Sequence, residues 1–223
     1  MIKRKQQPKK APYSQSGFTI IESLVAIIVA GILLAAIAPV IVLSTATRIQ
    51  SRRVELATRS AKSYIDGVKS GAIPAPTPPV LLTPNSTTLD GYLFNTTLVP
   101  VPTSISTLYC VDSKSGNSTT CDATQLNQFA IQAFSSASSA SDITNGNGYH
   151  LGLRVYRSDA FKDSIPLTAS DGTPNSTQTQ QTFTGGAGNR KAPLIEISTD
   201  INTSSTTYES LCQRLGSASG TCN

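Results

Sequence analysis

The 223 residues are 39% hydrophobic and 14% charged with no tryptophan, enough chain for one ordinary domain, but the apolar residues crowd near the N-terminus. A formal charge of +5 suits a nucleic-acid or membrane-surface binder, yet Lys3, Arg4, Lys5, Lys9 and Lys10 hold five of the 18 basic residues before Gly17, and the remainder balances the 13 acids. Residues 71–223 carry seven basic groups against ten acidic ones, a net of −3, which excludes a broad basic surface for nucleic acid.

Residues 1–17, MIKRKQQPKKAPYSQSG, contain no acid and read as a basic leader peptide that stays in the cytoplasm. An ordinary secretory signal is cut after its apolar region, whereas here the small residues Ser16 and Gly17 precede it. A cut before Phe18 keeps the apolar segment. From residue 18 to 43 the only charge is Glu22, and as a helix this stretch is about 39 Å long, enough to cross a bilayer. The positive-inside bias sends everything after it outward, which predicts a single-pass inner-membrane protein with a periplasmic C-terminal domain.

Residues 44–70 continue the helix in amphipathic form, with Ile49, Arg52, Arg53 and Leu56 at helical spacing. The basic residues Arg48, Arg52, Arg53, Arg59, Lys62 and Lys69 form a solvated face, suited to lipid headgroups at the helix exit. Gly71, Pro74, Pro76, Pro78 and Pro79 end the helix, since proline lacks the amide donor and disfavours a helical residue before it. Residues 71–148 read as a loop-rich Pro/Ser/Thr segment in which only Thr124 to Ala137 is predicted to be helical. Residues 149–223 hold predicted strands at Tyr149–Tyr156, Gln181–Thr184 and Leu194–Ser198, followed by a C-terminal disulfide loop. The expected class is α+β, a long N-terminal helix packed on a small antiparallel sheet.

Four cysteines, Cys110, Cys121, Cys212 and Cys222, allow three connectivities. Export to an oxidising compartment and the short separations favour Cys110 with Cys121 and Cys212 with Cys222. No pair has C-x-x-C spacing and His150 is the only histidine, so no metal and no cofactor is expected. Asp163, Asp171 and Asn175 match no EF-hand and read as turn residues. Asn85, Asn95, Asn117, Asn175 and Asn202 satisfy N-x-[ST], a pattern that Ser/Thr-rich composition produces by chance. No nucleophile elbow or P-loop is present, which argues against an enzyme.

The run Gly17-Phe18-Thr19-Ile20-Ile21-Glu22, behind a basic leader and ahead of about twenty apolar residues, resembles the class III signal of type IV pilins and pseudopilins. The resemblance covers roughly residues 10 to 60 and implies a pilin-like fold and a processing pathway. It implies that a prepilin peptidase cuts between Gly17 and Phe18 and methylates the new Phe18 amine. It further implies that residues 18–43 become a filament core in which Glu22 meets the N-terminal amine of a neighbouring subunit and sets register. Gly31 and Pro39 fall where pilins place helix-loosening residues. The partners it implies are other pilin or pseudopilin subunits, the prepilin peptidase, the inner-membrane assembly platform, and the lipid bilayer before assembly; no nucleic acid is expected. The Ser/Thr-rich composition is similar to that of cyanobacterial pilin-like proteins, including hormogonium polysaccharide secretion pseudopilins.

Physical chemistry supports the same residues. Glycine lets a protease approach the backbone, and an acid inside an apolar helix costs about 2.5 kcal/mol or more on insertion scales and is normally paired or functional. The expected function is a structural subunit, a minor pilin or pseudopilin. The alternative is a pilus-borne adhesin or a DNA-uptake receptor, for which Arg154, Arg157 and Lys162 offer a small local basic cluster beyond residue 70.

Overall fold

A computed structural model describes residues 17, 19–77, 80–81, 94–113, 116–118, 120–137, 140–173, 176, 178–181 and 188–214. The chain divides into two compact units, residues 1–44 and 45–223.

The first element, α1, is a continuous helix over Ile20–Lys69. In the first unit it is apolar on every side, and each residue from 20 to 42 is exposed. In the second unit it is amphipathic. There the buried positions are Gln50, Ala57, Ser60, Ala61, Tyr64, Ile65 and Val68, a stripe at the three-and-four spacing of one helix face. Of the apolar residues that the sequence offers for that face, Tyr64 and Val68 are buried, whereas Ile49 is half exposed and Leu56 only packs at the core edge. The reason is steric, because the small Ala57, Ser60 and Ala61 let the helix backbone approach the sheet where larger residues would hold it away. Gly71, at φ +76°, closes the helix while the Ile73 amide bonds back to the Gly67 carbonyl at 3.0 Å.

The sheet comprises β1 (Val80–Leu81), β2 (Tyr109–Asp112), β3 (Gly116–Ser118), β4 (Gln128–Ala137), β5 (Tyr149–Arg157) and β6 (Ile195–Ile201), with two short helices, α2 (Ala140–Asn145) and α3 (Tyr208–Arg214). Its order is β3-β2-β4-β5-β6, antiparallel throughout that path, and β1 pairs parallel with β4. Since β5 covers β4 from Phe129 to Ser136, β2 at residues 128–131 and β1 at residues 136–137 must share the opposite edge.

The structure bears out an α+β architecture with a long helix on an antiparallel sheet and corrects where the sheet begins. Residues 128–137, expected to be helical, form β4, and β1 to β3 also lie in the segment expected to be loops. The run Gln128-Phe-Ala-Ile-Gln-Ala-Phe misled because both of its faces are buried, so it lacks the polar alternation of a half-exposed strand. The predicted strand at 181–184 falls largely outside the described residues, and Gln181 is not in a strand.

The two sheet faces have different covers. Toward α1 point Phe129, Ile131, Tyr149, Leu151, Leu153 and Val155, forming the main core with Ala57, Ala61, Tyr64, Ile65 and Val68. Tyr64 meets Tyr109 edge-on at 4.9 Å. The other face is covered by loops: Phe94 and Val99 pack on Phe134, and Ala160 and Leu167 on Tyr156. Phe134 lies over Gly152 of β5, directly opposite in register. A Cβ on Gly152 would come under 3.0 Å from three carbons of that ring.

Replacing Gly152 therefore overpacks the loop-covered face, and Gly152→Ala should lower stability by about 2 kcal/mol. Chemical denaturation in neutral detergent checks this, and Phe134→Leu in the same chain should recover part of the loss. Burial, with Tyr149 and Tyr109 beside it, pushes the Tyr64 phenol up to about 12. The unfolded chain ionises this group from about pH 10, so its contribution is whole below pH 10 and is lost as pH rises from 10 toward 12. Denaturation midpoints measured from pH 8 to 12 should fall in that window, and less steeply for Tyr64→Phe.

Candidate functional site

The sequence directs attention to the start of α1, where the apolar helix begins. The amides of Glu22 and Ser23 both bond the Thr19 carbonyl, at 3.0 and 3.2 Å, and the Ser23 hydroxyl bonds the Ile20 carbonyl at 2.8 Å. Glu22 lies in the first turn, where a carboxylate complements the exposed amides and the positive end of the helix dipole. Phe18 is outside the described residues. Gly17 is exposed, has no positive φ, and a Cβ there would meet nothing within 4 Å. No packing among the described residues requires glycine at this position, and access to the backbone is what the residue offers.

On either side of Glu22 the helix presents Ile20, Leu24, Ile27, Ile28 and Leu34 to the outside, each more than half exposed. A helix apolar all round is stable in lipid or against other apolar helices, not in water. Gly31 also has open space around its missing side chain. Pro39 stands inside the helix, where its missing amide leaves the Ala35 carbonyl without the usual donor. Gly31 sits in the middle of the apolar half and Pro39 near its end, and glycine in a helix interior costs about 1 kcal/mol of helix propensity relative to alanine.

Cys110 and Cys121 form a disulfide with Cα atoms 5.4 Å apart, fastening β2 just beyond β3. Closing so short a loop contributes about 3 kcal/mol in the chain-entropy description. Cys212, on α3, is also disulfide-bonded; Cys222 lies outside the described residues.

Other candidates are consumed by structure. Asp163 pairs with both Arg190 and Lys191. Hydrogen bonds from the Ser176 side chain, and from the Thr173 hydroxyl at 2.7 Å and amide at 2.9 Å, hold the Asp171 carboxyl down at about 2. Among the described residues no group of three His, Cys, Asp or Glu side chains is placed to hold a metal, and Asn175 lies outside them. The basic cluster expected of a DNA receptor does not form. Arg154 is fully buried, and Arg157 makes a bidentate pair with Asp159 at 2.8 and 2.5 Å.

Sequence separation concealed two arrangements. Arg154 donates to the carbonyls of Val99 (2.8 Å), Phe94 (2.7 Å) and Ser170 (3.3 Å), with its Nε 3.3 Å from Glu196. Nothing in the linear order of residues connects these partners. Likewise, Ser136, His150 and Asp200 lie opposite one another on β4, β5 and β6, and His150 Nδ1 is 3.2 Å from Asp200 Oδ1. These are the residue types of a hydrolytic triad. However, Ser136 and His150 are buried and the Ser136 hydroxyl has no partner among the described residues, so the serine–base hydrogen bond that activates a nucleophile is missing.

Residues 13–38 match the family described as the prokaryotic N-terminal methylation motif, which is the class III signal of type IV pilins and pseudopilins. The match spans Gly17, Phe18, Glu22 and Gly31 and ends just before Pro39. The motif supports a processed subunit of pilin type, the motif and the apolar helix fit membrane anchoring before assembly, and chains bearing the motif are generally structural. No curated protein and no solved structure matches the chain.

Proposed function

We propose that this chain is a minor pilin or pseudopilin, a structural subunit of a type IV pilus or of a type II secretion-like filament. A prepilin peptidase cuts between Gly17 and Phe18 and methylates the Phe18 amine. The apolar half of α1 holds the subunit in the inner membrane with its sheet domain on the periplasmic side. The assembly platform then moves it among other subunits, whose helices replace lipid around it.

The observation that carries this reading is the single carboxylate, Glu22, in a helix half that is otherwise apolar on every side. An anchor alone needs hydrophobicity and gains nothing from an acid there. A staggered bundle does, because the carboxylate of one subunit neutralises the Phe18 amine of the next in a low-dielectric core. Gly31 and Pro39 loosen the helix between two well-formed stretches, which lets it adjust as it passes from lipid to protein surroundings.

Mass spectrometry of the assembled protein should find an N-terminus at methylated Phe18, and Gly17→Glu should leave an uncut precursor in the membrane. A start at Met1 in filaments, or a cut after the apolar run, would overturn the class III pathway here. Glu22→Ala should still insert and be processed, yet its recovery in sheared filaments should drop at least ~tenfold, because the facing amine is left buried without its counter-charge. Normal incorporation of that variant would remove the register role.

A further inference from the structure

The second unit is acidic beyond residue 70, but one place on it gathers cations. A cleft of about 570 Å³ is lined by Arg53 of α1, Arg157 and Asp159 after β5, Ile165, and Arg190 and Lys191 before β6. Arg157 is neutralised by Asp159. Arg190 and Lys191 share the one carboxylate of Asp163. Arg53 has no ion pair among the described residues. Four cations against two carboxylates leave two positive charges unneutralised around an open cleft, more than enough to balance the single negative charge of one phosphodiester. Burial and the facing Arg157 lower the Arg53 pKa, a like-charge tension that an anion would relieve. At the rim, Ile165 is 62% exposed, placing an apolar side chain beside the cations as interfacial segments do.

The chain also limits where its anion comes from. The apolar run ends at Leu43, ten residues before Arg53. Even fully extended, ten residues span at most about 35 Å. A bilayer that holds the run therefore has a headgroup layer no farther than about 35 Å from the Arg53 backbone. A nucleic-acid duplex, by contrast, is held through several phosphates along a basic surface, and this cleft offers charge for one.

We propose that this cleft takes the phosphate of an anionic phospholipid headgroup while the chain is anchored in the bilayer. The proposal rests on membrane anchoring and goes beyond the filament role: it gives the waiting subunit a second hold on the membrane, one that must be released on assembly.

The test uses the full chain in phosphatidylcholine nanodiscs with increasing phosphatidylglycerol, following hydrogen exchange of the amides at residues 158–166 and 188–192. Phosphatidylglycerol should slow exchange at these segments. Because a basic group near an anionic surface is worth about fivefold in binding, Arg53→Gln and Arg190→Gln should each raise the phosphatidylglycerol fraction for half protection about fivefold. Both positions are partly exposed, so either variant serves if the other fails to fold. Equal exchange with and without phosphatidylglycerol overturns the proposal. So does protection by inorganic phosphate, or by a short DNA duplex, in discs where phosphatidylglycerol gives none. Failure of the chain to enter discs of either composition would remove the anchoring reading, and the proposal with it.

Discussion

The face of the sheet turned away from α1 depends on one buried guanidinium. Arg154 is fully enclosed, lies between the rings of Phe94 and Phe134 with their centroids 5.8 and 5.3 Å from its Cζ, and gives its protons to three loop carbonyls. Burial lowers its pKa, yet a guanidinium stays charged, so the site must supply both acceptors and a counter-ion, which Glu196 provides from the neighbouring strand. Breaking such a network typically costs about 3–5 kcal/mol against a total stability of about 5–15 kcal/mol. For segments as rich in Ser, Thr and Pro as residues 94–107 and 164–173, apolar burial alone is a small resource, and backbone carbonyls are what they have to offer. Arg154 turns those carbonyls into anchoring points.

The same economy shapes the rest of the second unit. Gln50 on α1 donates to Gln180 at 3.0 Å, and Gln180 donates to the Ala192 carbonyl at 2.8 Å, so a chain of amides ties the helix to the segment entering β6. Lys191 reaches the Ala160 carbonyl and Asp163 together, joining that segment to the end of β5. The Cys110–Cys121 bond secures the short edge strand β3, which three residues of pairing hold weakly. Interactions of this kind gain strength from low local dielectric and are costly when half-made, so the loop-covered face orders as a connected whole.

The helix solves two problems with one element. Its C-terminal part buries a stripe of small residues and Tyr64 against its own sheet, as any globular helix would. Its N-terminal part is apolar all round and has no stripe to bury, so its stable surroundings must come from outside the chain. The same exposed surface suits lipid tails and other apolar helices alike. Glu22 is the one charged side chain among the described residues of that surface, and an acid there is costly unless it is paired.

The amino-acid sequence by itself determined the features that depend on local order: the apolar run, its lone Glu22, the preceding Gly17, the glycine and prolines that end α1, and the alternation of β5. These follow from the composition of a short window and from backbone chemistry, with no distant partner needed. Tertiary structure decided what depends on contact between distant residues. The central strand β4 lacked polar alternation because α1 buries one of its faces and the segment around Phe94 the other. On the second half of α1, Tyr64 and Val68 face the sheet, but Ile49 and Leu56 give way to the small Ala57 and Ala61, which allow close approach. Arg154 read as surface charge until Phe94, Val99, Ser170 and Glu196 surrounded it. Its role rests on partners 16 to 60 residues away, and only the folded sheet brings them together.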